Sequence, residues 1–421
     1  METTKKIAVI GFGTIGTGVA DLLYNKGIND LELVRMVDVD LKRERPVKLP
    51  PSYLSSDWRS VVDDPDIDII VELIGGIEPA MTIQMAALNA GKDVVTANKK
   101  LLAQEGQRIF GLASKLGRNI GFRASFVGCH SLINEFRQAG TAQKKFRRIY
   151  AILNGTSNYI LSKMANEGMG FDEALKEAQA GGYAEADPSD DIDGHDTASK
   201  IRILIALISN SYHTVAPFPV EGVRNISIQD IQYAIELGYV IKLVGVIEEK
   251  GGVLNVSVQP SLVPQRSLLG SLEGVYNGTE LEDEYGVVSG LIAPGAGAYP
   301  TADAVIKDLL DIADGKTLHM PDSSAPVVLG SPEDVERRYY LRFGVADQAG
   351  VLAQLFDIFW KHNISISAVI QKEPVSRDLV PVVMTTHLAR EGNLLAAIAG
   401  IDKLEVVRER TRIIRILKAD T

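Results

Sequence analysis

Lys6-Ile-Ala-Val-Ile10 is a short apolar run, followed at once by Gly11-Phe12-Gly13-Thr14-Ile15-Gly16 and then by Val19, Ala20, Leu22 and Leu23 at helical spacing. Strand, glycine turn and helix in that order read as the opening of a dinucleotide-binding unit. The first glycine permits a tight turn, the second lets backbone approach a pyrophosphate, and the third lets helix and strand pack closely. Asp38 ends the next strand-like run, Leu31 to Asp38, 22 residues beyond Gly16, where a carboxylate can accept hydrogen bonds from a ribose 2′-OH. Such a carboxylate favours NAD over NADP because it repels a 2′-phosphate; Lys42 and Arg43 close behind would soften the preference.

Outward from this turn, Ile67 to Ile74 and Asp93 to Thr96 read as further strands with helices between, so the first part is an α/β Rossmann domain with a doubly wound parallel sheet. After about residue 130 the pattern changes. Arg148 to Leu153, Val240 to Ile247, Val253 to Pro260 and Val287 to Leu291 read as strands of a mixed sheet, and Asn158 to Asn166, Phe171 to Ala180 and Thr197 to Asn210 as helices, giving an α+β domain. Turn formers gather in Pro321-Asp-Ser-Ser-Ala-Pro326 and Gly330-Ser-Pro332, a linker. Beyond it the order is β-α-β-β-α-β, the ferredoxin-like arrangement. The expected domains are residues 1–130, completed by a helix from about 300–318, then 131–320, a linker at 321–336, and 337–421.

The 421 residues, at roughly 150 per domain, agree with several cores. Lys plus Arg number 44 against 54 Asp plus Glu, a net charge of −10 with no basic stripe, which excludes a nucleic-acid partner from the reading. The single cysteine, Cys129, rules out an internal disulfide framework. With no signal-peptide pattern at the start and no apolar run of about 20 residues, a cytoplasmic protein without a membrane span is expected.

Several residue groups carry chemistry. Gly182 to Lys200 holds Glu185, Asp187, Asp190, Asp191, Asp193 and Asp196. A calcium loop is excluded because its twelfth position is Lys200 where a bidentate Glu is required. Asp196 and Lys200 are four apart at the start of an apolar helix, on one face, which suits either a plain ion pair or proton transfer by a lysine near buried surface. Lys99, in Thr96-Ala-Asn98-Lys99, follows the fourth predicted strand, at the edge where ligands bind in doubly wound sheets. Cys129 beside His130 suggests a thiol nucleophile, but a free cysteine is more often a small buried residue.

These motifs, with Leu153-Asn154-Gly155-Thr156-Ser-Asn158, Gly182-Tyr-Ala-Glu-Ala-Asp-Pro188 and Gly295-Ala-Gly297-Ala-Tyr-Pro-Thr301, together resemble homoserine dehydrogenase in its long form, with a C-terminal ACT domain. The resemblance implies NAD(P)-linked interconversion of L-homoserine and L-aspartate 4-semialdehyde in threonine and methionine biosynthesis by a homodimer or homotetramer. It implies Lys200 and Lys99 as acid–base lysines with Asp196 beside them. Glu185, Asp190, Asp191, Asn154, Gly155 and Thr156 fall at the amino-acid substrate, and Gly11 to Gly16, Asp38, Thr96, Lys99 and Gly297 at the cofactor. In Val345-Ala-Asp347-Gln348-Ala-Gly350-Val351-Leu352 it implies an ACT loop that receives an effector, with threonine expected.

The match departs at one place. Where the family reads Phe-Glu-Ala-Ser/Ala-Val-x-Gly-Gly-Ile-Pro, this chain has Phe122-Arg123-Ala-Ser-Phe-Val-Gly128-Cys129-His130-Ser131. The family's glutamate helps hold a monovalent cation; Arg123 has no acceptor with which to ligate one, and no metal is expected. The alternative reading is a weakened sensor of nucleotide and amino acid.

Overall fold

The computed structural model describes residues 4–126, 146–209, 212, 215–295, 297–316, 327–372 and 379–417. The chain forms two compact units, one of Met1–Phe146, Ser199–Ala216 and Leu291–Val327, the other of Arg147–Ala198, Pro217–Gly290 and Val328–Thr421.

In the first unit β1 (Lys5–Ile10), β2 (Leu31–Val37), β3 (Leu54–Ser55), β4 (Ile69–Glu72), β5 (Asp93–Thr96) and β6 (Ile120–Gly121) form a parallel sheet in the order β3-β2-β1-β4-β5-β6. That order reverses direction between β1 and β4, the point where ligands bind in doubly wound sheets. The central strands are apolar without alternation because both faces are covered. The covering helices are α1 (Thr14–Ala20), α2 (Arg59–Val62), α3 (Ala80–Asn89) and α4 (Lys99–Leu116). A later helix, Ala298–Ala313, joins the same core through Ala302, Val305 and Leu309, packed with Ile7, Val9 and Val19. It lies so close to α1 that a Cβ on Gly18 would stand 3.0 Å from that of Ala302.

The second unit is built on a mixed sheet. Strands β7 (Phe146–Ile152), β8 (Tyr239–Lys250), β9 (Val253–Pro264), β10 (Tyr276–Asp283) and β11 (Val288–Pro294) continue into β12 (Glu336–Val345), β13 (Ile366–Gln371), β14 (Val380–Thr386) and β16 (Val407–Ile416). The order is β11-β10-β7-β8-β9-β16-β12-β14-β13, with the short β15 (Ala389–Arg390) on β12. Hairpin β8–β9 turns at Gly251 and Gly252, both at positive φ, as a two-residue connection of this hand requires. Helices α5 (Gly155–Glu167), α6 (Phe171–Ala180), α7 (Ser189–Ile192) and α9 (Ile228–Glu236) accompany the first strands; α8 (His195–Ser209) begins in this unit and from Ser199 onward belongs to the first, and α10 is the Ala298–Ala313 helix.

The C-terminal part repeats the expected β-α-β-β-α-β order with α11 (Val351–Lys361) and α12 (Glu391–Ile401) around its own core of Tyr339, Phe343, Leu355 and Leu394. It is joined to the earlier strands by sheet pairing, since Arg415 and Ile416 of β16 lie parallel to Ser261 and Leu262 of β9. The segment expected as a linker is, over its described residues 327–336, bonded to β9: Leu254 N–H donates to the Val328 carbonyl and Gly330 N–H to that of Leu254. Residues 321–326 lie outside the described residues. Helix α9 and strand β10 are additions to the expected set.

A second tie is Asp230, on α9, whose carboxylate takes Arg342 Nε at 2.7 Å and Nη2 at 3.1 Å, with the Tyr340 hydroxyl at 3.1 Å. Burial pushes this carboxyl up, but the hydrogen bond and charge of Arg342 outweigh it and hold it below its ordinary value. A depressed folded-state value stabilises above the unfolded value and is lost as pH falls through the folded one. Asp230→Asn is therefore expected to destabilise at neutral pH by about 3–5 kcal/mol, with the gap from the natural chain narrowing below pH ~4 in urea unfolding followed by circular dichroism.

Candidate active site

The turn after β1 is shaped by what its glycines exclude. At Gly11, φ is +112° and a Cβ would lie 2.7 Å from the Leu73 carbonyl, while at Gly16 it would lie 2.0 Å from the Gly11 oxygen. Over Gly13 no atom of the described residues comes within 4 Å of a Cβ, so there the backbone is open. Helix α1 starts at that point with no side-chain cap and no acidic residue in its first turn. This is a cradle that a pyrophosphate fits. Phe12 is buried, Ile15 packs on the core and Thr14 is exposed. The turn after β11 approaches the same place, since Gly18 of α1 lies 3.4 Å, measured from a built Cβ, from the Ala298 carbonyl beside Gly297.

Asp38 follows β2 as expected, and its carboxylate accepts from Phe12 N–H at 2.7 Å and Asp40 N–H at 2.9 Å. The basic residue at it is Arg45, not the exposed Lys42 or Arg43: Arg45 Nη2 lies 3.4 Å from Asp38 Oδ2, and Nε donates to the Phe12 carbonyl at 2.7 Å. Arg45 ties the ribose-end loop to the glycine turn. No sequence signal separated it from its two basic neighbours.

At the carboxyl edge of the sheet the organiser is Glu72, which the sequence reading passed over. It is fully buried and accepts from Ile74 N–H at 2.9 Å, Gln84 Nε2 at 2.8 Å and Thr96 Oγ1 at 2.8 Å. Thr96 Oγ1 in turn accepts from Asn98 N–H, and Asn98 caps α4 through Leu101 N–H. That fixes the first residue of α4, which is Lys99.

Arg123, buried, follows β6. Its guanidinium bridges Asp308 at 2.6 Å and Asp311 at 2.6 Å, and its own N–H donates to Asp308 at 2.7 Å. The guanidinium is buried here, and it can only donate. The neighbouring Gly128, Cys129, His130 and Ser131 lie outside the described residues.

In the second unit Asn154 is the hub. Its Oδ1 caps α5 by accepting from Ser157 N–H at 2.8 Å, and its Nδ2 donates to Asp191 at 2.7 Å and Asp196 at 3.0 Å. Gly155 is required because a Cβ would sit 2.9 Å from the Val275 carbonyl, and Thr156 Oγ1 donates to the Tyr183 carbonyl at 2.7 Å. The acidic stretch therefore does not act as one cluster. Asp191 and Asp196 meet at Asn154, Glu185 and Asp190 are exposed, Asp187 accepts from Ser189, and Asp193 takes Arg224. Asp196 and Lys200, each 6% exposed, lie one turn apart on α8. A lysine not singled out from sequence, Lys242, is pushed down to about 8 by burial and donates to Asn158 at 2.9 Å.

In the C-terminal part Asp347, Gln348 and Gly350 are exposed, Gly350 caps α11 at φ +87°, and Val351 and Leu352 pack into the core below.

A pyrophosphate cradle at the switch point of a doubly wound sheet, followed by an α+β domain and a βαββαβ module, defines a dinucleotide-dependent enzyme with an appended small-molecule-binding type of domain. Residues 11–123 match the homoserine dehydrogenase NAD-binding domain, 132–310 homoserine dehydrogenase itself, and 339–406 the ACT domain. The homoserine dehydrogenase of Synechocystis sp. is 37% identical across 98% of this chain and 100% of that one, and that of Neisseria gonorrhoeae 35% across 97% and 98%. A solved homoserine dehydrogenase from Thiobacillus denitrificans superposes with a TM-score of 0.89 at 35% identity, covering 98% of each chain. The chain belongs to the homoserine dehydrogenase family, which are NAD(P)-dependent oxidoreductases.

Removing the guanidinium leaves Asp308 and Asp311 with a buried charge deficit. Arg123→Leu is expected to lower stability by about 3–5 kcal/mol, read as a fall in Tm, and Arg123→Lys to recover part of it.

Proposed function

We propose that this protein interconverts L-homoserine and L-aspartate 4-semialdehyde in the cytoplasm, with NAD preferred to NADP. The observation that carries the reading is the pair Asp191 and Asp196 gathered by Asn154, with the buried Asp196 at the head of the helix that carries Lys200 one turn further on. When bound, the dinucleotide supplies the hydride acceptor or donor; Gly11 to Gly16, Phe12, Thr14 and Ile15 among them, would hold its pyrophosphate and Asp38 its ribose. Thr96 and Gly297 complete that binding surface.

Lys200 or Lys99 takes the hydroxyl proton of homoserine as the alcohol is oxidised and returns it to the carbonyl oxygen in the reverse direction. Asp196 orients the lysine one turn away. The substrate ammonium falls to Glu185, with Asp190 and Asp191 helping to fix the amino acid, and Gly155 and Thr156 shape the loop beside it. The charge that stabilises an incipient alkoxide comes from the lysines, and no step passes through a metal ion. Asp347, Gln348, Gly350, Val351 and Leu352 receive threonine as effector, in a homodimer or homotetramer.

Lys200→Ala is expected to lower kcat by about 10²-fold or more while leaving dinucleotide binding, followed by nicotinamide fluorescence, unchanged. Near-natural turnover would remove Lys200 from this role. Asp38→Ala is expected to move the ratio of kcat/KM for NAD over NADP toward NADP; an unmoved ratio means Asp38 does not read the ribose.

A further inference from the structure

We propose that a cavity of the second unit, lined by no residue of the Asn154 hub or the ACT loop, binds a small aliphatic monocarboxylate. Strand β9 carries Asn255, Ser257, Gln259 and Ser261 at every second position, which a period of two places on one face. Ser257 and Gln259 are 6% and 3% exposed. Buried polar groups in proteins are nearly always hydrogen-bonded. Yet Ser257 Oγ and Gln259 Nε2 meet no partner among the described residues.

Facing them is Arg337, at the start of β12 and 8% exposed. Its Nη2 donates to Glu248 at 3.1 Å, while its Nε meets no partner among the described residues. Ser257, Gln259 and Arg337 line one cavity of about 50 Å³, with Phe218 and Leu329 on its apolar side and Glu391 also at its wall. At the ~10–15 Å³ that one water centre needs, the space takes several heavy atoms.

The chemistry of the lining selects the occupant. A guanidinium N–H and an amide NH₂ only donate, and a serine hydroxyl can donate. Their shared complement is a group with two acceptor oxygens and a negative charge, which a guanidinium binds most strongly. One arginine against one glutamate in the lining gives no surplus positive charge for a phosphate dianion, so a monocarboxylate fits. Glu391 already accepts from Arg415 and from the Tyr339 hydroxyl at 3.2 Å, and Glu248 takes only Nη2 of Arg337, which leaves the Arg337 Nε to the ligand. Phe218 and Leu329 would cover a short aliphatic tail.

The place is distinct from the ACT loop. Arg337 is the second residue of β12 and the loop follows its last, Val345, about 26 Å along an extended strand at ~3.3 Å per residue. The site touches β9 and β12, which β16 links in the sheet, and the start of α12, so its occupancy would stabilise that union.

The test uses the full chain, with calorimetric titration and thermal shift by sodium propionate, L-alanine and inorganic phosphate, on the natural protein and on Gln259→Leu and Ser257→Ala. Propionate is expected to bind and raise Tm, and each variant to weaken it at least tenfold while its nicotinamide-cofactor binding stays unchanged. Alanine binding tighter than propionate, with the difference lost in Glu391→Gln, identifies an amino acid as the source; equal binding identifies a simple carboxylate. Equal affinity in both variants and the natural chain, or phosphate binding in preference to propionate, overturns the proposal. Should the variants not fold, crystals of the natural protein soaked in propionate decide: a carboxylate on Arg337 and Gln259 supports the site, and ordered water alone overturns it. Because the readout is binding, it stands whether or not the chain oxidises homoserine.

Discussion

Two carboxylates held close together repel unless something between them donates to both, and the Asn154 amide does this for the half-buried Asp191 and the buried Asp196. Much of the second unit is arranged so that this amide can be where it is. Its other face caps α5, and the residue after it must be glycine because Val275 lies against it. Asn158, one turn further on, donates to the carbonyls of Gly274 and Tyr276 and accepts from the buried Lys242. The run Leu153 to Asn158 is thus a chain of caps and close approaches that fixes where two negative charges stand. An enzyme of this family handles an amino acid carrying an ammonium group, and preorganised carboxylates are what that group requires.

The first unit solves a charge problem in the opposite sense. Asp308 and Asp311 of α10 meet the Arg123 guanidinium at the end of the sheet. The same contact pins α10 to the edge of the Rossmann sheet, and α10 in turn packs against α1 below the glycine turn. Arg123 is therefore built into the support of the glycine turn.

Local patterns were legible in the sequence, and long-range ones were not. The glycine turn, the alternating strands and helices and the βαββαβ order can be read because each depends on residues close in the chain. Glu72 escaped because Val71-Glu72-Leu73 looks like any strand end; its role arises from Gln84 and Thr96, which only the fold brings to it. Arg45 escaped among Arg43-Glu44-Arg45, where composition cannot tell which guanidinium is buried. The acidic run of Glu185 to Asp196 was read as one site because sequence gives the number of carboxylates but not their direction. Alternate ones turn to Asn154, to Arg224 or to solvent. The polar stripe of β9 was visible as alternation, but its burial was not.

The most direct measurement of the central claim is nicotinamide absorbance when purified protein meets L-homoserine in a buffer free of sodium and potassium, with NAD and NADP in separate runs. The account predicts reduced cofactor formed in both, faster with NAD, and a rate unchanged when either cation is restored. No reduced cofactor in any of these conditions would contradict it.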